Sequence, residues 1–408
     1  MKVPQPADPK VQYDRKKSIA INVREHRKRR RKGEKAPSFK KILENLLMPL
    51  IAAFEEFTYL FPSIEDVVKT SILACIERTT INTICDNLDN SLSARTVRHY
   101  LGCLKNEKIE EGLNELLRNK VVALIKNKWV RLSMDFVQLP YYGDYFRDEK
   151  ELTTGKAKKG TTTFHTYLTV YAVVRNQRYT IAIKYVRKEQ SVEELFKEAM
   201  EEILGLGLNI KTVLLDKEFY QVRIINYLKE KEVPAIIAVP QRGKKIKALR
   251  VRRKGARCVT WTIRNSQKEE ATFLLQCFQK YMKGSKVLGG RSTWFFYATI
   301  GMKRNPRRTA ELYRKRFGIE STYRMMDSCR ARTTSQNPVI RLFFVLIAFM
   351  ITNLKVLYEW LSVKDGRISR RISNSLMSLA RLIILIRKAL EGWFKKHYRR
   401  KRRIYQVG

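Results

Sequence analysis

Apolar residues near the start of the chain recur at helical spacing. Phe39, Ile42, Leu43, Leu46, Leu47 and Leu50 follow an i, i+3, i+4 rhythm, which puts them on one face of a helix. Residues 38–128 contain glycine only at Gly102 and Gly112, and the stretch reads as successive helices. Within it, Ile81, Ile84 and Cys85 mark a first short helix, and Asp86 to Ser93 form a polar turn. Ser93 is placed to cap a second helix. In Ala94 to Leu101, Val97 and Leu101 are the buried positions and Arg95, Arg98 and His99 the outward ones.

At Trp129 the period changes from helical to strand-like. Val130–Val137, Thr163–Val174 and Arg178–Val186 are β-branched and aromatic, the last two linked by the turn-like Arg175-Asn176-Gln177. Ser191, with Glu194 three residues on, has the pattern of a capping box, predicting a helix to Leu204 that Gly205 and Gly207 stop. A strand ending at Asp216 follows, then a helix through Phe219, Ile224, Ile225 and Leu228, then a strand over Ala235–Val239. The order βββαβαβ is that of a ribonuclease H-like α/β fold. Cys258–Ile263, Ala271–Phe278 and Trp294–Ile300 predict a mainly β insertion. Helices resume at about Thr309. The division expected is a basic arm (1–37), a helical domain (38–128), the first part of the core (129–240), the β-rich insertion (241–300), the second part of the core (301–362) and a basic C-terminal helix and tail (363–408).

Charge narrows the class of partner. The chain has 408 residues, with 83 Lys and Arg against 39 Asp and Glu, a formal net charge of +44. Such an excess repels itself unless a polyanion neutralises it, and nucleic acid is the expected polyanion. The runs His26–Lys35 and Lys395–Arg403 concentrate that charge. Basic Arg95 and Arg98 near the start of a second helix suit entry into a DNA major groove, although a plain helical bundle gives the same pattern. The apolar run Leu342–Leu354, 13 residues between Arg341 and Lys355, is short for a membrane span and reads as a buried helix. Six cysteines without a Cys-x-x-Cys pair, and four histidines, point to free thiols in a reducing compartment and to no zinc site. With no signal-peptide pattern, the expected location is the cytoplasm, on the nucleoid.

Three carboxylates carry the candidate chemistry. Asp135 lies in the run Val130–Val137, Asp216 ends Thr212–Leu215, and Glu320 lies in the helical-looking stretch from Tyr313. Hard divalent cations take oxygen ligands. Two of them about 4 Å apart can clamp the attacking and leaving oxygens of a phosphodiester. On one continuous helix Tyr313, Arg316 and Glu320 would share a face, with Arg316 gripping a phosphate, Tyr313 bonding a phosphate or stacking on a base, and Arg314, Lys315 and Arg324 adding positive charge. Asp144, Asp148 and Glu149 read as surface charges, Glu218 as pointing elsewhere, Glu311 as outside the spacing, and His165 as structural.

The spacing Tyr313-x2-Arg316-x3-Glu320 resembles the Tyr-Arg-Glu-Lys signature of DDE transposases of the IS4 group of insertion sequences. The layout is most similar to the archaeal ISH3-type branch, over about residues 130–360. The block Leu215-Asp216-Lys217-Glu218-Phe219-Tyr220 is similar to the family's second-aspartate block. The resemblance implies catalytic and metal-binding roles for Asp135, Asp216 and Glu320, two Mg²⁺ (or Mn²⁺), DNA contacts from Tyr313, Arg316, Lys315 and Arg324, recognition of terminal inverted repeats and target DNA, and a homodimer on paired ends. The family's lysine falls on Asp327, with Arg324, Arg330 or Arg332 as substitutes. Two other classes fit the residues: a DNA-binding regulator with an inert core, and a nuclease or resolvase of the same fold that cleaves without joining.

Overall fold

The computed structural model describes residues 64–397, apart from 89–90, 145–148, 175–176, 251–255, 282–291, 304 and 364–377. The basic arm, the helix expected around Phe39–Leu50 and the cationic run beyond 397 lie outside the described residues. Among the described residues four helices come first: α1 (Ile64–Glu77), α2 (Ile81–Asp86), α3 (Ala94–Gly102) and α4 (Asn106–Ile125). Ser93 caps α3 as its position predicts, its Oγ accepting from Thr96 N at 3.0 Å.

Nine strands follow: β1 (Val130–Pro140), β2 (Thr153–Lys158), β3 (Thr161–Val174), β4 (Gln177–Val186), β5 (Ile210–Leu215), β6 (Ala235–Ala238), β7 (Ala256–Arg264), β8 (Glu270–Tyr281) and β9 (Ser292–Ile300). Between β4 and β7 lie α5 (Val192–Gly205), α6 (Val222–Glu230) and α7 (Lys244–Ala248). The capping box of α5 is present: Glu194 N donates to Ser191 Oγ (3.1 Å) and Ser191 N donates to Glu194 Oε2 (3.0 Å). Gly207, at φ +62°, turns the chain out of it in the left-handed conformation that glycine tolerates.

All nine strands form one mixed sheet in the order β2-β3-β1-β5-β6-β9-β8-β7, with β4 also paired to β3. β1 runs antiparallel to β3 and parallel to β5, and β5 runs parallel to β6. The stretch β4-β3-β1-β5-β6 has the arrangement of a ribonuclease H-like core. The three strands expected as an insertion do form, but they do not make a sheet of their own. β9 pairs antiparallel with β6, Ile237 opposite Ala298, and carries β8 and β7 outward as an extension of the same sheet.

The described residues end with α8 (Pro306–Tyr313), α9 (Gly318–Asp327), α10 (Pro338–Val363) and α11 (Leu379–His397). Strand parity assigns the two faces of the sheet. Leu132, Met134, Leu168, Val170, Val213 and Leu215 point into one core under α5 and α6. Val137, Leu139, Tyr167 and Tyr171 point the other way, into the core shared with α1–α3, α9 and α10. The apolar stretch of α10 is long enough to cross a membrane by length and composition, yet 89% of it is buried inside the protein.

The outer edge of β4 is sealed by side chains. Asn114, on α4, accepts from Ile183 N (2.7 Å) and donates to Ile183 O (2.9 Å). Asn353, on α10, does the same for Thr180 (2.8 and 2.7 Å). Arg118 Nε donates to Ile181 O, and Tyr185 N donates to Glu110. These are backbone groups that an open edge would offer to another strand.

Candidate functional site

The same parity that buries Met134 and Leu215 sends Asp135 and Asp216 to the opposite face. Met134 is paired with Leu215 at the end of the parallel β1–β5 ladder, so the next residue on each chain is an aspartate: Asp135, midway along β1, and Asp216, just past the carboxyl end of β5. In open α/β sheets that is where a crevice forms. Ser133 Oγ donates to Leu214 O and ties the strands just before the pair. Beyond β5 the chain makes a 3₁₀ turn, Lys217–Phe219, and Phe219 stacks on Phe136 with ring centroids 5.3 Å apart. The turn that carries Asp216 is thereby packed against the strand that carries Asp135.

Both carboxylates converge on one cation. Arg316 Nη2 lies 2.8 Å from Asp135 Oδ1 and 3.5 Å from Asp216 Oδ2. Arg316 is 9% exposed, Asp135 22% and Asp216 31%. Burial pushes the Asp135 carboxyl up to about 6; Arg316 opposes the rise, and the Asp216 and Glu218 carboxylates add to it. Asp135 Oδ1 also accepts from Phe136 N at 3.0 Å. Glu218 is solvent-exposed, as its position suggests, but near enough to act on Asp135.

The element bearing Arg316 differs from the continuous helix expected. α8 ends at Tyr313, a 3₁₀ turn covers Arg314–Phe317, and α9 starts at Gly318. A residue distant in sequence packs at the break. The Arg178 guanidinium lies against Gly318, filling the space a Cβ would need, and its Nη2 donates to Lys315 O at 3.1 Å. The tighter turn, with 3.0 residues per revolution, keeps Tyr313 and Arg316 together on the inward side and rotates Glu320 outward. Tyr313 is 4% exposed, packed between Tyr297 (4.8 Å) and Phe317 (6.3 Å). Its ring lies within the protein rather than on a DNA-facing surface, and burial raises its hydroxyl well above the ordinary tyrosine range.

Glu320 is 63% exposed and pairs with Arg324 at 3.8 Å. Among the described residues no three His, Cys, Asp or Glu side chains gather as a metal-binding group. The structure therefore brings Asp135, Asp216 and Arg316 together and leaves Glu320 outside that contact. The helix of Glu320 is nevertheless anchored to the site. Tyr323, one turn on, hydrogen-bonds Thr169 Oγ1 at 2.8 Å, and Thr169 in turn donates to Asp135 O at 2.9 Å. Sequence reading missed Tyr323, Thr169 and Arg178 as positioning groups. The one available signal was the spacing of Tyr323, three residues past Glu320.

The other candidates lie around this centre or on the helical domain. Lys315 is partly buried and depressed by that burial and by Arg131 and Lys211, while Arg314 and Arg324 are exposed. Asp327 faces Arg330 at 3.6 Å. Arg95 is exposed on α3, and Arg98 donates to Asn82 of α2. His165 is a core residue: Nδ1 lies 2.9 Å from Tyr185 OH, and burial drops its pKa to about 3.

Two carboxylates directed at one buried guanidinium form a site built for positive charge. Their donor set suits a hard divalent cation, so Asp135 and Asp216 fit the metal that the resemblance implies.

The sequence profile described as "Transposase DDE domain" matches residues 139–354, just over half of the chain. The matched span starts four residues after Asp135 and contains Asp216, Arg316 and Glu320. No curated protein matches the chain. Among solved structures, the cryo-EM structure of a piggyBac transposase synaptic complex with hairpin DNA superposes with a TM-score of 0.51 at 12% identity, covering 89% of this chain and 84% of that one. At that identity the likeness is one of fold.

Proposed function

Since this chain belongs to the family of transposases with a DDE domain, we propose that it cuts DNA at the ends of its own insertion sequence and joins those ends to target DNA. The subgroup we assign is the IS4 group, nearest the archaeal ISH3-type branch, on the spacing Tyr313-x2-Arg316-x3-Glu320. The observation that carries the reading is the convergence of Asp135 and Asp216 on one side of the sheet, where both contact a single cationic group.

Asp135 and Asp216 would hold two Mg²⁺ (or Mn²⁺), with Glu320 completing the set. When bound, such ions supply activation of the attacking oxygen and neutralise charge at the phosphodiester. The protein's own groups bind and orient the strand. Arg316 offers a planar fork for a phosphate. Lys315, Arg314 and Arg324 surround it with charge that draws in the backbone. Thr169 and Tyr323 hold α9 against the strand that bears Asp135. Two displacements follow in line at phosphorus. Water attacks at the element's end, forming one P–O bond as the bond to the 3′-oxygen breaks. The released 3′-hydroxyl then attacks the opposite strand or the target, again making one P–O bond and breaking another.

The helical segment α1–α4 would recognise the terminal repeats, with Arg95 and Arg98 on the reading helix. Because an element carries the repeat at both ends, two protomers would work as a homodimer on paired ends.

The test is cleavage of end-labelled DNA carrying the gene with its native flanks, with Mg²⁺, by wild type and Asp216→Ala. Metal-dependent breaks at the flanking repeats, absent in the variant, are expected. Breaks that persist in Asp216→Ala, or binding by wild type with no breaks at all, would overturn the assignment.

A further inference from the structure

Arg316 occupies the position that a cation would take. Its Nη2 contacts both aspartates, at 2.8 and 3.5 Å. A divalent cation shared by these carboxylates needs the same oxygens, and its charge repels a guanidinium already seated there. The two are competitors for one pair of ligands.

The guanidinium is also incompletely satisfied. Its Nε is buried and has no hydrogen-bond partner, in a side chain that is 9% exposed. A buried donor without a partner is costly. A phosphate can accept from Nε and Nη2 of one arginine together, which the two carboxylates sharing a single Nη2 do not do. Arg316 is mounted, moreover, on the 3₁₀ turn Arg314–Phe317 between α8 and α9, and a short 3₁₀ stretch inside a helical run often marks a hinge.

Resting on the two-aspartate metal site described above, we propose that Arg316 keeps Asp135 and Asp216 closed to divalent cations until a DNA phosphate takes its guanidinium. Cation loading then follows DNA capture. Free protein carries its own counter-charge and stays unloaded, and phosphate engagement frees both carboxylates at once. The coupling is reciprocal: whatever factor DNA adds to cation affinity, the cation adds to DNA affinity.

The test is Mn²⁺ binding to the full chain without DNA, by calorimetry, for wild type, Arg316→Gln and the double variant Arg316→Gln/Asp216→Asn. Arg316→Gln is expected to bind Mn²⁺ at least tenfold more tightly than wild type, and the double variant to lose that binding. If Arg316→Gln, folded by circular dichroism, binds Mn²⁺ no more tightly than wild type while the double variant loses the ion, the competition is overturned and the aspartate site stands. If Arg316→Gln binds no ion, or the double variant binds as Arg316→Gln does, the metal-site reading fails and takes this proposal with it. A second measurement needs no variant. In a wild-type structure with Mn²⁺ on the two aspartates, the guanidinium is expected to have left both carboxylates. Mn²⁺ bound there with Arg316 still 2.8 Å from Asp135 would sink the proposal.

Discussion

Replacing Asp135 by Asn keeps the shape of the side chain and removes its charge. The structure sets the size of the effect. Burial lifts the carboxyl from the ordinary 3.8 to about 6 in spite of Arg316, with Asp216 and Glu218 adding repulsion. That difference corresponds to about 3 kcal/mol spent on keeping Asp135 ionised in the folded protein. The folded-state pKa lies above the unfolded one, so the folded protein holds the proton more tightly, and the stability this confers is present in acid and lost as pH rises. Below pH 3.8 both states are protonated and the charge has no effect. Between 3.8 and about 6 wild-type stability falls, and above about 6 the full penalty stands. Asp135→Asn does not carry it, and its Arg316 keeps Asp216 at 3.5 Å. The variant should be more stable than wild type by about 3 kcal/mol at pH 8 and by almost nothing at pH 3. Urea unfolding of both proteins across that range is the assay. A gap that does not change with pH, or an Asn variant less stable than wild type at pH 8, would refute the reasoning.

Three further outcomes follow from other parts of the structure. Gly318→Ala forces the Arg178 guanidinium off Gly318 and away from Lys315 O; thermal unfolding should report a loss of about 1–2 kcal/mol, and an unchanged midpoint would show that the 3₁₀ turn does not depend on that contact. Asn114→Ala and Asn353→Ala each strip two partners from one residue of β4, so each should cost about 3 kcal/mol in urea unfolding; a loss within error of zero in either would mean that water serves the edge equally well. DNA affinity should fall linearly on a plot of log K against log salt, and Arg95→Ala with Arg98→Ala should lower the slope by about 1–2; fluorescence anisotropy over a salt series measures it, and an unaltered slope would remove α3 from the DNA contact.

Local chemistry explains what could be read without the structure. β-Branched and aromatic runs marked β1, β3 and β4 and an apolar run marked β5, and the Ser93 cap and the Ser191–Glu194 capping box lie where short-range side-chain logic puts them. Asp135 and Asp216 were legible because each sits at a definite place on an apolar run, and strand parity decides which way it points. β2 was not legible, since Thr153–Lys158 is mostly exposed and carries no apolar alternation. The joining of β9 to β6 is a pairing across about sixty residues, which no local pattern encodes. At the break before Glu320, Arg178, about 140 residues earlier, presses on Gly318. From the sequence, Gly318 was visible and Arg178 was not. The face shared by Tyr313, Arg316 and Glu320 was inferred from an uninterrupted helix, and the 3₁₀ turn is what separates the exposed Glu320 from the buried pair.

The seal on β4 has a consequence for how the protein is made. Its clips come from both sides of the strand in sequence: Glu110, Asn114 and Arg118 from α4, and Asn353 from α10. On the ribosome α4 emerges before β4, and domains tend to fold in that order. The Ile181–Tyr185 end of the edge therefore meets its partners as soon as the strand forms. Thr180 waits until some 170 more residues have been synthesised and α10 arrives. A nascent chain is half guarded during that interval, and a catalytic fragment cut to exclude α4 would never be guarded at the Ile181–Tyr185 end, which makes aggregation the expected fate of such a truncation.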